Sequence, residues 1–228
     1  MTMPDAAALH SWEFLDPVVL QPAGPITAPF RAAGVNDYRS AARYIGRLPY
    51  GRNANLDDPL AVLIESRGTC STKHAFLRRL AMEQNIAAKL VVGIYEMSDR
   101  NTPGICLVLE RYGIARLPEA HCYLNYCGKI IDVIRELATV PVEAISHFLH
   151  EEEIAPNQIG AYKVDLHRRF LRHWMEQSGA AATHTLDQLW RIREQCIVAL
   201  SAQDPLSVQV TELVSLEIYG SLGLVIKT

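Results

Sequence analysis

The most constraining feature of the sequence is a change of hydrophobic periodicity near its middle. Across residues 70–84, apolar side chains such as Phe76, Leu77 and Leu80 recur at the spacing of one helix face. Residues 88–97 then form a run rich in Val and Ile, which is typical of a buried strand. Because an amphipathic helix must bury its apolar face against another element, the sequence predicts a helix packed on a sheet.

A second pattern predicts a tight hairpin. Residues 121–126 and 129–134 indicate two strands, and Gly128 between them allows the positive φ that short hairpin turns need. With the turn centred on residues 127 and 128, residues whose numbers sum to about 255 lie opposite each other. His121 then faces residue 134, and Asp132 is its diagonal neighbour, within reach of a longer side chain.

The order of elements predicts an α+β fold rather than a doubly wound parallel sheet. We expect a Pro-rich N-terminal arm over residues 1–35, a core over residues 36–150 and a C-terminal helical extension over residues 151–228 that packs on the core. The arm is expected to be extended, with one short strand near residues 18–20. The other predicted elements are helices over 37–47, 141–152, 165–178 and 185–202, a strand over 105–110, and strands or a packed arm over 206–227.

Composition excludes several classes of protein. The 22 basic and 25 acidic residues give a net charge of −3 without a block of like charge, so no nucleic-acid partner is expected. No apolar run is long enough to span a bilayer, so no membrane partner is expected either. The five cysteines are irregularly spaced, and the N-terminus has no signal pattern, which together predict reduced thiols and a cytoplasmic location. No nucleotide-binding fingerprint is present, and no cofactor is expected.

Three residues have the chemical character of a nucleophilic site. Cys70 lies at the predicted start of a helix, where unpaired N–H groups and the helix dipole stabilise a thiolate. An imidazolium from His121 would stabilise that thiolate further and could protonate a leaving amine. The carboxylate of Asp132 would then orient the imidazole.

The segments that carry these residues resemble the transglutaminase-like superfamily. In this family a Gly-x-Cys begins an apolar helix that leads to a strand ending in Val-Gly, as residues 67–77 and 85–93 do here. A His then begins a strand and an Asp lies on the returning strand, as in residues 119–132. The resemblance covers about residues 57–135, and Tyr123 stands where many members have Trp. It implies a papain-like core with Cys70 as nucleophile, His121 as base and acid, and Asp132 as orienting group.

The oxyanion-hole donor is less clearly marked in the sequence. The backbone N–H of Cys70 is one expected donor. Asn53 or Asn55, in the polar loop before the helix, could supply the other.

Metal-binding interpretations are weaker, and no metal is expected. Cys122 and Cys127 form a Cys-x4-Cys pair without a second pair of ligands. His147 and His150 are followed by acidic residues but lack a His-Glu-x-x-His pattern. His74, one helical turn after Cys70, has no evident carboxylate partner and is interpreted as a surface or wall residue.

These patterns leave three hypotheses for function. The first is a cysteine hydrolase, a peptidase or amidase, or an acyltransferase that forms an acyl-enzyme with a peptide, amide or other acyl substrate. The second is a catalytically inactive transglutaminase-like module that binds or scaffolds a partner. The third is a metal-dependent hydrolase that uses His147, His150 and a carboxylate. The oligomeric state and the identity of the substrate stay open.

Overall fold

The computed structural model describes residues 10–134, 145 and 147–202, which form a mixed α+β fold. Within this part of the chain, seven α-helices surround one four-stranded sheet. The helices are α1 (Thr27–Ala32), α2 (Tyr38–Arg47), α3 (Ala61–Ile64), α4 (Cys70–Glu83), α5 (Cys106–Arg111), α6 (Ala161–Ser178) and α7 (Leu186–Ala202). The strands are β1 (Ala88–Met97), β2 (Leu117–Tyr126), β3 (Lys129–Ile131) and β4 (His150–Glu153). The predicted α+β class is therefore confirmed.

The sheet is antiparallel throughout, in the order β3-β2-β1-β4. Leu124 pairs with Ile131 across the tight turn, which is the register expected from the sequence. Because β3 ends at Ile131, the part of β2 before Leu124 has β1 on one side and, among the described residues, no strand on the other. That open part of β2 contains His121 and lies beside the start of α4.

Two groups of buried apolar side chains hold the layers together. The larger group joins α4 to the sheet through side chains such as Phe76, Leu80 and Val92. It also includes side chains from the N-terminal region, namely Leu15, Leu20, Ile26 and Phe30. The smaller group joins the far end of β1 and β2 to α5, α6 and α7.

Two expected elements of the core are different in the structure. The predicted strand over 105–110 is wrong, because this segment forms helix α5. The Asp99 carboxylate accepts the backbone N–H groups of Gly104 and Cys106, which caps the start of this helix, and Leu109 alone of its residues is buried. Its apolar run therefore covers only one helix face.

The end of the predicted helix over 141–152 is also wrong, because residues 150–153 form β4. Pairing with the edge of β1 outweighs the helical preference of this segment. The N–H of Leu149 donates to Ile94 O at 2.7 Å, and that of Ile154 donates to Leu90 O at 2.9 Å. Residues 141–144 and 146 of that prediction, and the predicted tail over 206–227, lie outside the described residues. In the N-terminal region, the helix α1 contradicts a wholly extended arm.

Candidate active site

Cys70 is the first residue of α4, and the local sequence explains why the helix starts there. The Thr69 hydroxyl accepts the N–H of Thr72, and the Thr72 hydroxyl accepts the N–H of Thr69 at 2.9 Å, which forms a capping box. Gly68 comes just before it, and a Cβ at this position would lie 2.8 Å from Thr72 Oγ1. The turn into the helix therefore needs glycine. The Cys70 side chain is 7 % exposed.

His121 and Asp132 meet across the hairpin. His121 Nε2 donates to Asp132 Oδ2 at 2.8 Å. The carboxylate is fixed on its other side, because Oδ1 accepts the N–H of Ile134 at 3.0 Å. Ser11 holds the backbone of the same residue, since its hydroxyl accepts the Asp132 N–H at 2.9 Å and donates to the Asp132 carbonyl at 3.2 Å. The diagonal relationship predicted from the turn therefore places the two side chains in hydrogen-bond contact.

The thiol of Cys70 interacts with the same imidazole. The charge of His121 and a side-chain hydrogen bond from it both favour the thiolate. Because Nε2 is bonded to Asp132, Nδ1 is the nitrogen left for the sulfur. The sulfur also accepts the backbone N–H of Cys122, on the part of β2 that β3 leaves open. The structure thus brings the three sequence-predicted residues into one hydrogen-bonded row.

The electrostatics of the row favour an ion pair. Burial opposes the charge on Cys70, but the cations of Lys163 and His121 and the hydrogen bonds to the sulfur outweigh it and lower the pKa of the thiol to about 6. Burial also opposes a charged His121, and Asp132 and Cys70 outweigh it, raising its pKa to about 9. Between these two values the thiolate and the imidazolium coexist.

His74, interpreted from the sequence as a surface or wall residue, is not at the surface, because it is fully buried. Its Nδ1 donates to the Cys70 carbonyl at 2.8 Å, and its Nε2 accepts the backbone N–H of Val133 at 3.1 Å. Burial, with Asp132 opposing it, lowers the pKa of His74 to about 4, so the ring is neutral. The residue ties the nucleophile's helix to the segment that carries Asp132.

Three further groups near the thiol were not identified from the sequence. Lys163 of α6 is buried and donates to Ser71 Oγ at 2.7 Å. Glu119 of β2 forms a two-point ion pair with Arg193 of α7, with N–O distances of 2.5 and 2.7 Å. Tyr50, bridged to Gly68, lies close enough for the Cys70 charge to act on it, and burial together with that charge raises the pKa of its hydroxyl.

The two asparagines considered for the oxyanion hole both make hydrogen bonds to the backbone of the loop and its neighbours. Asn53 Nδ2 donates to the carbonyls of Arg67 and Ala61 at 3.0 and 3.3 Å, which uses both of its protons. Asn55 is exposed, and its Oδ1 accepts the N–H of Asp57. In this arrangement Asn53 has no side-chain proton left for an oxyanion at Cys70, whereas the prediction for Asn55 stays a prediction.

The residues considered for metal binding do not form a three-ligand group in the described part of the chain. Cys122 is buried beside Ser71, whereas Cys127 is exposed in the hairpin turn. His147 is exposed, and His150 begins strand β4. Within residues 10–134, 145 and 147–202, no three His, Cys, Asp or Glu side chains gather in an arrangement that could hold a metal ion.

None of the described helices combines the length and the apolar character needed to cross a bilayer. No family model, curated protein or solved structure matches the chain, so the inference of function depends on the site's own geometry.

Proposed function

We propose that the protein is a cysteine hydrolase of the transglutaminase-like class that cleaves an amide or ester through an acyl-enzyme on Cys70. The observation that carries the proposal is the row in which Asp132 bonds His121 Nε2 at 2.8 Å and the imidazole bonds the Cys70 sulfur. A thiol with a pKa near 6 beside an imidazolium is the form of cysteine that attacks carbonyl carbon.

The first half-reaction follows from this arrangement. The Cys70 thiolate attacks the substrate carbonyl carbon and forms a tetrahedral oxyanion. His121 gives its Nδ1 proton to the leaving amine or alkoxide as the carbon–nitrogen or carbon–oxygen bond breaks. The products are the free amine or alcohol and a thioester on Cys70.

The second half-reaction uses the same groups in reverse. The neutral His121 takes a proton from water as the water oxygen attacks the thioester carbon. The carbon–sulfur bond then breaks, which releases a carboxylic acid and returns Cys70 as a thiolate beside an imidazolium. An amine in place of water would make the same site an acyltransferase.

Two donors are proposed for the oxyanion. The backbone N–H of Cys70 lies in the first turn of α4, where it has no partner within the helix. The Tyr50 hydroxyl is the second donor in this proposal, because its raised pKa keeps it protonated and the charge of Cys70 acts on it.

The alternative is an inactive module that retains the fold and binds a partner. The observation that favours it is the burial of Cys70, which is 7 % exposed and therefore offers a substrate little access without movement. The two proposals differ in the reactivity of the thiol.

The deciding experiment is the pH dependence of alkylation by iodoacetamide, followed residue by residue with mass spectrometry. Cys127, exposed in the hairpin turn, is the internal reference. The enzyme proposal expects Cys70 to react at a nearly constant rate between pH 7 and pH 9, and to become more than about tenfold slower at pH 7 in His121→Ala. Reaction no faster than Cys127, unchanged in His121→Ala, would favour the inactive module.

A second assay tests acyl transfer directly. The protein is mixed with p-nitrophenyl acetate, and intact mass spectrometry follows an acetyl adduct on Cys70. Faster loss of the adduct on addition of a primary amine, with amide product, identifies an acyltransferase. Loss at an unchanged rate identifies a hydrolase.

A further inference from the structure

Lys163 lies beside the nucleophile although it comes from a distant helix. It is 7 % exposed, and its Nζ donates to Ser71 Oγ at 2.7 Å. The same hydroxyl lies 3.9 Å from the Cys70 sulfur. A single hydroxyl oxygen thus bridges the ammonium of α6 and the sulfur of α4.

Buried lysine is rare unless its charge is matched. Ser71 is neutral and accepts one of the three ammonium protons; the other two make no hydrogen bond to any described residue. The charge of Lys163 must therefore be balanced by an anion rather than by a network of acceptors. The titratable and charged groups around the Lys163 ammonium are Cys70 of α4, Cys122 and Glu119 of β2, His167 of α6 and Arg193 of α7.

These groups identify the balancing anion. Glu119 is already held by Arg193 in a two-point ion pair. Burial lowers the pKa of His167, which keeps it neutral, and burial raises the pKa of Cys122 to about 11, which keeps that thiol protonated. Among the facing groups, the Cys70 thiolate is left as the anion that can neutralise Lys163.

The positive and negative charges around the site are then equal in number. Asp132 balances His121, Glu119 balances Arg193, and the Cys70 thiolate balances Lys163. Glu194 also contacts Arg193, and its charge is matched by Arg52. While His121 is protonated, a neutral thiol at Cys70 would leave one uncompensated cation in a buried site, which is costly.

We propose that Lys163 is a positioning residue that holds Cys70 as a thiolate, so that helix α6 of the C-terminal region completes the nucleophilic site. This inference rests on the proposed function, since a thiolate is needed only if Cys70 reacts. The pKa of Cys70 agrees with it: burial opposes the thiolate, and the charge of Lys163 is among the effects that outweigh burial and lower the pKa.

The two cations differ in what they do during a catalytic cycle. His121 gives up and regains a proton, so its charge disappears in the acyl-enzyme. Burial opposes the charge on Lys163, but the groups around it raise its pKa above the ordinary value. One of them, Glu119, keeps its charge when Cys70 is acylated, so Lys163 stays protonated. The sulfur expelled from the thioester therefore returns to a site where a cation is already present.

The test compares alkylation of Cys70 by iodoacetamide across pH 5–9 in four proteins: wild type, Lys163→Met, Lys163→Arg and Lys89→Met. Methionine keeps the length of the side chain without the charge, and arginine keeps the charge. Lys89, exposed in an ion pair with Glu153, is the matched control. We expect Lys163→Met to react about tenfold more slowly at pH 6 and its pH midpoint to rise, while the control matches wild type. Lys163→Arg should stay closer to wild type than Lys163→Met.

Several outcomes separate this proposal from the one it rests on. An activated thiol in wild type that depends on His121 but is unchanged in Lys163→Met would overturn the role of Lys163 and leave the hydrolase proposal standing. An unactivated thiol in wild type would end both.

A measurement on wild-type protein remains if Lys163→Met does not fold. NMR of protein labelled with 15N-lysine, with the Lys163 signal assigned through Lys163→Arg, is recorded before and after Cys70 is blocked by iodoacetamide. We expect the Nζ signal of Lys163 to shift when the neighbouring thiolate becomes a neutral thioether, whereas that of Lys89 stays fixed. An unmoved Lys163 signal would contradict the proposal.

Discussion

The ring of His74 accepts the backbone N–H of Val133 at 3.1 Å, and Val133 is the residue that follows Asp132. Its other nitrogen donates to the Cys70 carbonyl at 2.8 Å. One neutral imidazole therefore fixes the separation between the nucleophile's helix turn and the carboxylate segment. A protonated ring could not accept the Val133 proton, so the link exists only while His74 is uncharged.

The first prediction concerns stability in acid. The pKa of His74 in the folded protein is about 4, below its ordinary value of 6.5, so its contribution is complete above pH 6.5 and is lost as the pH falls toward 4. That loss amounts to about 3 kcal/mol. We expect His74→Gln to be destabilised at pH 7 but to lose less further stability than wild type between pH 6.5 and pH 4.

Urea unfolding at pH 7, 5.5 and 4 measures this difference. His173→Gln, which alters an exposed histidine of α6, should follow wild type at each pH. Parallel curves for wild type and His74→Gln would show that His74 is not the titrating group.

The second prediction concerns Asp132. Its carboxylate, together with Cys70, overcomes the effect of burial and raises the pKa of His121 to about 9. This raised pKa stabilises the fold fully below pH 6.5, and the contribution disappears as the pH rises through 9. In Asp132→Asn we expect the pKa of His121 to fall, its charge to be lost near pH 8, and alkylation of Cys70 to slow by about tenfold at that pH.

An NMR titration of the His121 ring, with alkylation rates measured on the same samples, checks the second prediction. Asp187→Asn removes an exposed carboxylate that pairs with Arg168 and should change neither quantity. An unshifted His121 in Asp132→Asn would mean that the 2.8 Å contact does not govern its protonation.

The third prediction separates an oxyanion donor from a group that activates the thiol. Tyr50→Phe removes only the hydroxyl proposed to bind the oxyanion. Reaction of Cys70 with p-nitrophenyl acetate passes through an oxyanion, whereas alkylation by iodoacetamide does not. We expect the acylation rate to fall by about 10²–10³-fold and the alkylation rate to change by less than about threefold.

The control for the third prediction is Tyr162→Phe, in which an exposed hydroxyl bonded to Glu152 is lost. It should leave both rates at their wild-type values. Equal losses of acylation and alkylation in Tyr50→Phe would assign Tyr50 to the thiol's environment rather than to the oxyanion.

The fourth prediction concerns the buried pair of Glu119 and Arg193. Arg193→Met leaves a carboxylate uncompensated in the interior, and we expect it to lower the free energy of unfolding by about 3–5 kcal/mol. Replacing both residues, as Glu119→Gln with Arg193→Met, removes the unpaired charge and should cost less than the sum of the single changes.

Urea unfolding of the four proteins in a double-mutant cycle gives the coupling energy of this pair. The exposed pair of Lys89 and Glu153 provides a reference cycle, for which we expect a coupling below about 1 kcal/mol. Similar coupling in both cycles would contradict the importance of burial.

Features of the fold and site that depend on neighbouring residues could be predicted from the sequence, whereas features that depend on contacts between distant segments could not. The hairpin register was predictable, because positive φ at both Cys127 and Gly128 fixes the pairing of Leu124 with Ile131. The start of α4 was predictable because Thr69, a residue type that commonly caps helices, comes directly before Cys70. The proximity of His121 and Asp132 follows from the register. Most of the arrangement of Cys70, His121 and Asp132 can therefore be predicted from local sequence.

The rest depended on contacts between distant segments. Lys163 lies on the helix face that also presents Leu166 and His167, three and four residues later, and this spacing was the one available signal that its side chain is buried. Nothing in its neighbourhood along the chain indicates that Ser71 is its partner. The strand at residues 150–153 likewise forms because β1 has a free edge, which no local pattern reveals.

The last prediction tests whether the turn between β2 and β3 is strained. Cys127 has φ of 51°, a left-handed conformation that costs most residues other than glycine about 1–2 kcal/mol. Asparagine adopts this conformation more readily and is preferred before glycine in such turns. We expect Cys127→Asn to raise the free energy of unfolding by about 0.5–1 kcal/mol, because the strain falls and the register stays.

The matched change is Gly128→Ala, which places a Cβ on a residue with φ of 79° and should lower stability by about 1 kcal/mol. Urea unfolding measures both changes, and alkylation of Cys70 reports whether the site is affected. Because the turn sets the register that brings Asp132 to His121, a turn that keeps its register should leave the alkylation rate of Cys127→Asn at the wild-type value. A stability decrease in Cys127→Asn would show that the left-handed residue is not a source of strain.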